Sequence, residues 1–247
     1  MNPYYQDESV TLYCGDVREI LPRLERVVCV DVIIADPPYG ETSLSWDKWP
    51  EGWPSLLFGI SNSLWCFGSL RMFMAKSAEF QGWKLSHDIV WEKQNGSSLH
   101  NDRFRRIHEQ VAHFYRAGVP WGDVYKKTFM ANNAARRTVR RKTLPPHWGR
   151  IADSSYSSID GGPRMVESVI YAANCHGYAI HPTQKPEDII IPILEYSCPQ
   201  GGTVLDLFAG SGTTAKVARQ SGRNAISIEG SEENCEKIVK RLQESFC

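Results

Sequence analysis

What the chain has little of narrows its nature first. Its seven cysteines are an odd number with no Cys-x-x-Cys pair among them. Neither a disulfide framework nor a zinc site is indicated, so reduced and mostly packed thiols, and no metal, are expected. No apolar run approaches the ~20 residues of a membrane-spanning helix. Met1-Asn2-Pro3-Tyr4 does not read as a signal peptide, so a cytoplasmic protein without a membrane partner is expected. Internal repeats and low-complexity tracts are absent. Net charge is zero as well, which on its own disfavours a polyanionic partner. What remains is a chain of 247 residues, 42% hydrophobic and 23% charged. That is enough for one substantial core, as one domain or a domain carrying an insertion.

The zero hides an asymmetry. Between Asn101 and Arg150 stand twelve Lys or Arg against three acids, a local charge of +9 that the rest of the chain offsets with −9. Distribution matters more than the sum for a nucleic-acid partner. Arg136-Arg137-Thr138-Val139-Arg140-Arg141-Lys142 is the densest part. It is suited to neutralising phosphates, or to reaching guanine edges with one or two arginines. A solvated loop is the plainer alternative.

Asp36-Pro37-Pro38-Tyr39 follows the β-forming run Val30 to Ala35. Two prolines remove two backbone donors and fix two φ angles, so the strand stops there. A carboxylate, two exposed carbonyls and an aromatic ring are then held just past a strand's carboxyl end, where ligands bind in open α/β sheets. A second strand, Thr203 to Asp206, runs through Leu207-Phe208-Ala209-Gly210-Ser211-Gly212-Thr213-Thr214 into a helix. Gly210 and Gly212 let the backbone turn tightly and approach a ligand. With Ala215 in place of a third glycine, the spacing alone is weak evidence of a dinucleotide site. The strand after that ends in Glu229, 23 residues beyond Asp206, a distance at which an acid can bind ribose hydroxyls.

Together these two stretches resemble the amino-type (N6-adenine/N4-cytosine) DNA methyltransferases, with the amine-site motif ahead of the cofactor motif as in that family's permuted β-group order. His181-Pro182-Thr183-Gln184-Lys185-Pro186 resembles the family segment just upstream of the cofactor strand. Trp91-Glu92-Lys93, Arg103 and His108-Glu109 resemble a pattern on its substrate side. The resemblance covers residues from about 12 to 117 and from about 181 to 242.

It implies a mostly parallel, doubly wound α/β sheet of the Rossmann-like methyltransferase type. The catalytic domain is expected at 1–116 and 172–247, with a target-recognition insertion at 117–171. S-adenosylmethionine (AdoMet) is the implied cofactor. Its contacts are expected from Asp16, Lys185, Asp206, Phe208, Ala209, Gly210, Ser211, Gly212, Thr213, Thr214 and Glu229. Asp16 reads equally as a helix N-cap. Lys185 is expected to reach the AdoMet carboxylate. Asp36, Pro37, Pro38 and Tyr39 are the implied catalytic residues. Arg103, Arg136, Arg137, Arg140, Arg141 and Lys142 are expected to contact double-stranded DNA. His108 reads as structural, Trp46 as simple packing, and Gly212 as a position where a side chain would crowd the ligand while sparing the fold.

The implied reaction is direct methyl transfer to the N6 amine of a flipped-out adenine, in a restriction-modification setting. Relatives acting on adenine more often carry Asp at the first position of the tetrapeptide, and cytosine enzymes more often Ser. Cytosine N4 is the alternative, and a non-catalytic DNA-binding module on the same fold is a second. Monomer and homodimer both stay open.

Overall fold

The computed structural model describes residues 2–24, 29–97, 102, 104–140, 155–175, 177 and 179–244. In chain order the elements are β1 (Tyr5–Gln6), β2 (Val10–Cys14), α1 (Val17–Leu24), β3 (Val32–Ala35), β4 (Ser63–Gly68), α2 (Leu70–Ala75), β5 (Trp83–Ser97) and β6 (Arg106–Arg116). The strands β7 (Met130–Ala134), β8 (Arg137–Arg140), β9 (Ser155–Ser158), β10 (Gly162–Met165) and β11 (Val169–Ala172) follow. The chain continues with α3 (Glu187–Ser197), β12 (Thr203–Asp206), α4 (Thr213–Gln220), β13 (Asn224–Glu229) and α5 (Glu232–Glu244).

One nine-stranded sheet has the order β1-β2-β13-β12-β3-β4-β6-β5-β11. Strands β2, β13, β12, β3 and β4 are mutually parallel, while β6 runs antiparallel to both β4 and β5. The side chains of the central strands divide between two cores. Val32, Ile34, Val204, Trp65 and Phe67 join buried residues of α3, α4 and α5. Ile33, Ala35, Leu205, Leu64 and Cys66 join α1 and the segment around Trp53 and Leu57. Alternation along a strand puts successive side chains on opposite faces, so helices cover both. This is the mostly parallel, doubly wound α/β fold, and its continuous apolar strands reflect burial on both sides. Each fully buried Ile or Leu contributes about 1.5–3 kcal/mol.

The two motif strands are direct neighbours: Val204, Leu205 and Asp206 pair with Val32, Ile33 and Ile34. From β12 the chain moves outward to β13 on one side, and from β3 to β4 on the other. The loops therefore diverge at a switch point, which opens a crevice at the strands' carboxyl ends.

Several local expectations change. Trp53–Leu57 forms a 3-10 turn, opened by Gly52 at φ +83°. The helix from Leu70 ends at Ala75, and Ser77–Phe80 tightens into 3-10 geometry. This brings Phe80 to stack on Phe114 with centroids 4.7 Å apart. Val169–Ala172 pair with Val90–Lys93 in the large sheet, so the sheet takes in the end of the 117–171 range expected for the insertion. The separate compact unit is Thr128–Glu167. It consists of two antiparallel pairings, β7 with β10 and β8 with β9. Among the described residues, Cys14 and Cys29 are exposed and Cys66, Cys175, Cys198 and Cys235 are buried and free. No described helix is long and apolar enough to cross a membrane.

Candidate active site

Asp36 begins where β3 ends, and both of its carboxylate oxygens are engaged. Oδ1 accepts a hydrogen bond from the Tyr39 hydroxyl at 2.9 Å. Oδ2 accepts one from the Lys185 ammonium at 2.5 Å. Pro37 is buried, and Tyr39 packs between the two cores. Burial, then the charges of Asp36 and Glu109, pushes the Tyr39 phenol well above its ordinary range, so it stays a neutral donor bracing Asp36.

Lys185 is nearly buried and has a second anion at hand, Glu109 Oε2 at 3.7 Å. Burial alone would lower its ammonium, but Asp36 and Glu109 outweigh this and raise it. Glu109, on β6, also pairs with Lys93 on β5. Its burial would raise the carboxyl, yet Lys185 and Lys93 hold it below the usual carboxylate range. Burying charges is costly unless they answer one another, and here four do. The partner expected for Lys185 was the carboxylate of AdoMet; the partners it has are Asp36 and Glu109.

On the neighbouring strand, Asp206 is buried and its carboxyl is pushed up to about 7, chiefly by burial, with Asp36 and Glu229 adding to the rise. The turn after it is hooked onto both flanking strands, Leu207 N–H donating to Ile34 at 3.1 Å and Ala209 N–H to Ile228 at 2.9 Å. Gly210 and Gly212 have φ of +54° and +71°, the left-handed region that glycine tolerates. Gly210 N–H donates to Glu229 Oε2 at 2.8 Å. Glu229 Oε1 accepts from Ser231 N–H at 3.0 Å and Asn234 Nδ2 at 3.1 Å. Three of its roughly four acceptor positions are thus used, and binding two ribose hydroxyls would require it to exchange one.

The remaining residues of the turn face inward. Ser211, Thr213 and Thr214 are buried, with Ser211 Oγ 3.0 Å from Thr213 Oγ1 and the latter donating to the Lys185 carbonyl at 3.1 Å. Phe208 meets Trp53 edge-on, and Ala209 is buried. This stretch therefore offers a ligand mostly backbone. A β-carbon at Gly212 would lie 2.9 Å from Ile238 of α5. The glycine there serves helix packing, contrary to the expectation that a side chain would crowd only the ligand. A β-carbon at Gly210 would meet His181 at 3.5 Å, an ordinary contact.

Asp16 accepts from the Arg18 N–H at 2.8 Å and pairs with the Arg18 guanidinium at 2.6 Å. It is the N-cap of α1. The adjacent Gly15 N–H donates to the Glu229 carbonyl, which ties this corner to the carboxyl end of β13.

The loop after Tyr39 is stapled by Asp47, whose buried carboxylate accepts from Gly40 N–H at 2.8 Å and from Thr42 N–H and Oγ1, each at 2.7 Å. Trp46 next to it is 47% exposed, so the packing expected of it is not seen; its ring lies 6.2 Å from that of His181. His108 is exposed and fills no core. Arg136, Arg137 and Arg140 are exposed on the 128–167 unit. Arg103, Arg141 and Lys142 lie outside the described residues. No cluster of His, Cys, Asp or Glu among the described residues could hold a metal ion. Sequence reasoning placed Glu109 and His181 only within resembled segments, with no role of their own, and did not single out Asp47.

A glycine turn backed by an acid on the next strand, beside a rigid acceptor tetrapeptide at a switch point, defines an AdoMet-dependent methyltransferase built for an amine. The chemistry present fits AdoMet: a turn whose two glycines put no side chain in a ligand's way, next to the carboxylate of Glu229. The family model described as DNA methylase, for N6 and N4 enzymes, matches residues 30–240, and the chain belongs to that family. It is 26% identical to the Type II methyltransferase M2.LlaDCHI of Lactococcus lactis subsp. cremoris, over 97% of this chain and 91% of the relative. To M2.DpnII of Streptococcus pneumoniae it is 24% identical, over 98% and 92%. Among solved structures, M1.HpyAVI in complex with SAM superposes with a TM-score of 0.62 at 23% identity, over 94% of this chain and 99% of that one. The cytosine-N4-specific PvuII DNA methyltransferase superposes at 0.64 and 14% identity, over 97% and 88%. This protein is a DNA methyltransferase of permuted motif order, with AdoMet as methyl donor and DNA as substrate.

Proposed function

We propose that this enzyme methylates the N6 amine of adenine in double-stranded DNA as the modification half of a restriction-modification system. The observation that carries the reading is the anionic Asp36 at the head of the tetrapeptide, braced by Tyr39 and held beside the glycine turn. When bound, AdoMet supplies a methyl group made electrophilic by a positively charged sulfur. An exocyclic amine is a poor nucleophile because its lone pair is conjugated with the ring. Asp36 and the Pro37 carbonyl accept its two N–H bonds and draw that lone pair out of conjugation. A carboxylate forms a stronger, charge-assisted hydrogen bond than a hydroxyl would. It also stabilises the positive charge that grows on nitrogen. One amine proton must leave, and Asp36 is the base within reach of it. The exposed part of the Tyr39 ring is the platform for a base flipped from the duplex, with Pro38 fixing its direction.

Asp206, Phe208, Ala209, Gly210, Ser211, Gly212, Thr213, Thr214 and Glu229 form the AdoMet pocket in this reading, with Asp16 and Lys185 at its two ends. The 128–167 unit, with Arg136, Arg137 and Arg140, supplies DNA contacts, joined by Arg103, Arg141 and Lys142.

Cytosine N4 is the second reading, favoured by the likeness to the PvuII enzyme; its amine offers the same two donors. A non-catalytic module fits poorly with an intact Asp36, Tyr39, Gly210 and Glu229. Digesting methylated DNA to nucleosides and identifying the product by mass spectrometry tests the choice. N6-methyladenine is expected, and N4-methylcytosine alone overturns the base assignment.

A further inference from the structure

Each oxygen of Asp36 already accepts one hydrogen bond. Tyr39 bonds Oδ1 and Lys185 bonds Oδ2, so an amine that approaches Oδ2 competes there with the lysine ammonium. Lys185 is the one with somewhere to go: Glu109 Oε2 lies 3.7 Å from its ammonium. That oxygen is buried, and among the described residues it has no hydrogen-bond partner. The other oxygen, Oε1, is occupied by Lys93, which leaves Oε2 as an acceptor held in reserve. Lys185 also rests over the Phe67 ring, 5.2 Å from its centroid, a π face that attracts an ammonium.

Resting on the reading of Asp36 as the amine acceptor, we infer that Glu109 is a positioning residue: it takes over Lys185 when the target amine displaces that lysine from Asp36. The exchange is one ion pair for another, with no proton or bond transferred. It keeps the buried lysine compensated while the catalytic carboxylate is released to the substrate. Without it, freeing Asp36 would strand a buried cation, which is strongly disfavoured.

The first test needs no turnover. Melting temperatures of Asp36→Asn, Glu109→Gln and the double variant form a cycle. Each single variant leaves Lys185 one anion, and the double leaves none. The double is expected to melt at least about 3 °C below the temperature that the two single losses add up to, for a chain of this size. Repeating the cycle in a Lys185→Met background should remove that shortfall. Additive losses, or a shortfall that persists without Lys185, overturn the inference.

The second test is kinetic. Glu109→Gln should lower kcat at saturating DNA by at least about tenfold while AdoMet affinity stays within about twofold, and Glu109→Asp should restore most of it. A wild-type kcat in Glu109→Gln also overturns the inference. Should the unaltered protein transfer no methyl to DNA, the reading of Asp36 fails, and the melting cycle still decides whether Glu109 and Asp36 share Lys185.

Discussion

Charge is handled in opposite ways in two regions of this molecule. At the carboxyl ends of β3 and β12 and near the amino end of β6, Asp36, Asp206 and Glu109 are little exposed, and Asp36 and Glu109 share the cation of Lys185. On the 128–167 unit, Arg136, Arg137 and Arg140 stand exposed on or beside the short strand β8. Buried charges interact strongly because little water screens them, so altering one alters its neighbours. Exposed charges are screened and act nearly independently. Substitutions in the first region should therefore be large and non-additive, and those in the second moderate and additive.

The hardest blow to the buried side is Asp36→Ala. It removes the acceptor of the amine and leaves Lys185 with Glu109 alone. Turnover should fall by about 10²–10³ or more, the scale seen when a group that stabilises transition-state charge is lost. AdoMet affinity, measured by calorimetry, should stay within a few-fold. A variant with half the normal kcat would show that the carboxylate does not act on the amine.

Two glycines separate packing from binding within the same turn. Gly212→Val places a side chain against Ile238 at a positive φ. Overpacking and backbone strain together should cost about 2–5 kcal/mol, visible as a lower denaturation midpoint. Gly210→Ala meets only ordinary contact with His181 and should cost about 1–2 kcal/mol for its left-handed backbone, with a disproportionate loss of AdoMet affinity. Equal stability losses at the two positions would blur that division.

On the exposed side, replacing Arg136, Arg137 and Arg140 by alanine should flatten the dependence of log affinity for DNA on log salt. The slope should drop by up to about 0.9 per lost phosphate contact, each arginine adding its share, with AdoMet binding unchanged. An unaltered slope would make the segment a solvated surface.

How far the sequence could be read follows the same division. A run such as Val32 to Ala35 ended by two prolines, or Val204 to Asp206 ended by a glycine turn, carries its structure locally, and both strands and their loops fall where the pattern puts them. What local pattern cannot carry is who answers whom across the sheet. Lys185 and Asp36 are 149 residues apart in the chain, and nothing near either one names the other. Glu109 looked like half of a His-Glu pair, and only the pairing of β6 beside β4 and β5 brings it to Lys185. The reason for Gly212 lies on α5, in Ile238. Asp47 staples its loop through backbone N–H groups that any sequence would offer.

The smallest expected effect lies at the boundary between the two regimes, at Asp16. This carboxylate caps α1, pairs with a half-exposed Arg18, and is held below the usual carboxylate range first by that arginine's hydrogen bond. A surface pair of this kind contributes little to stability, and the cap contributes about 1 kcal/mol. Asparagine also caps well, because its side-chain oxygen accepts the same N–H, but it carries no charge. Asp16→Asn should thus melt within about a degree of the unaltered protein, and Asp16→Ala a few degrees lower. If the carboxylate also reaches AdoMet, both variants should bind it several-fold more weakly, and to a similar extent, although only one of them has lost the cap. Affinity that instead follows the melting temperature, spared in Asn and reduced in Ala, would assign Asp16 to the helix alone. The corner beside Glu229 would then belong to the scaffold.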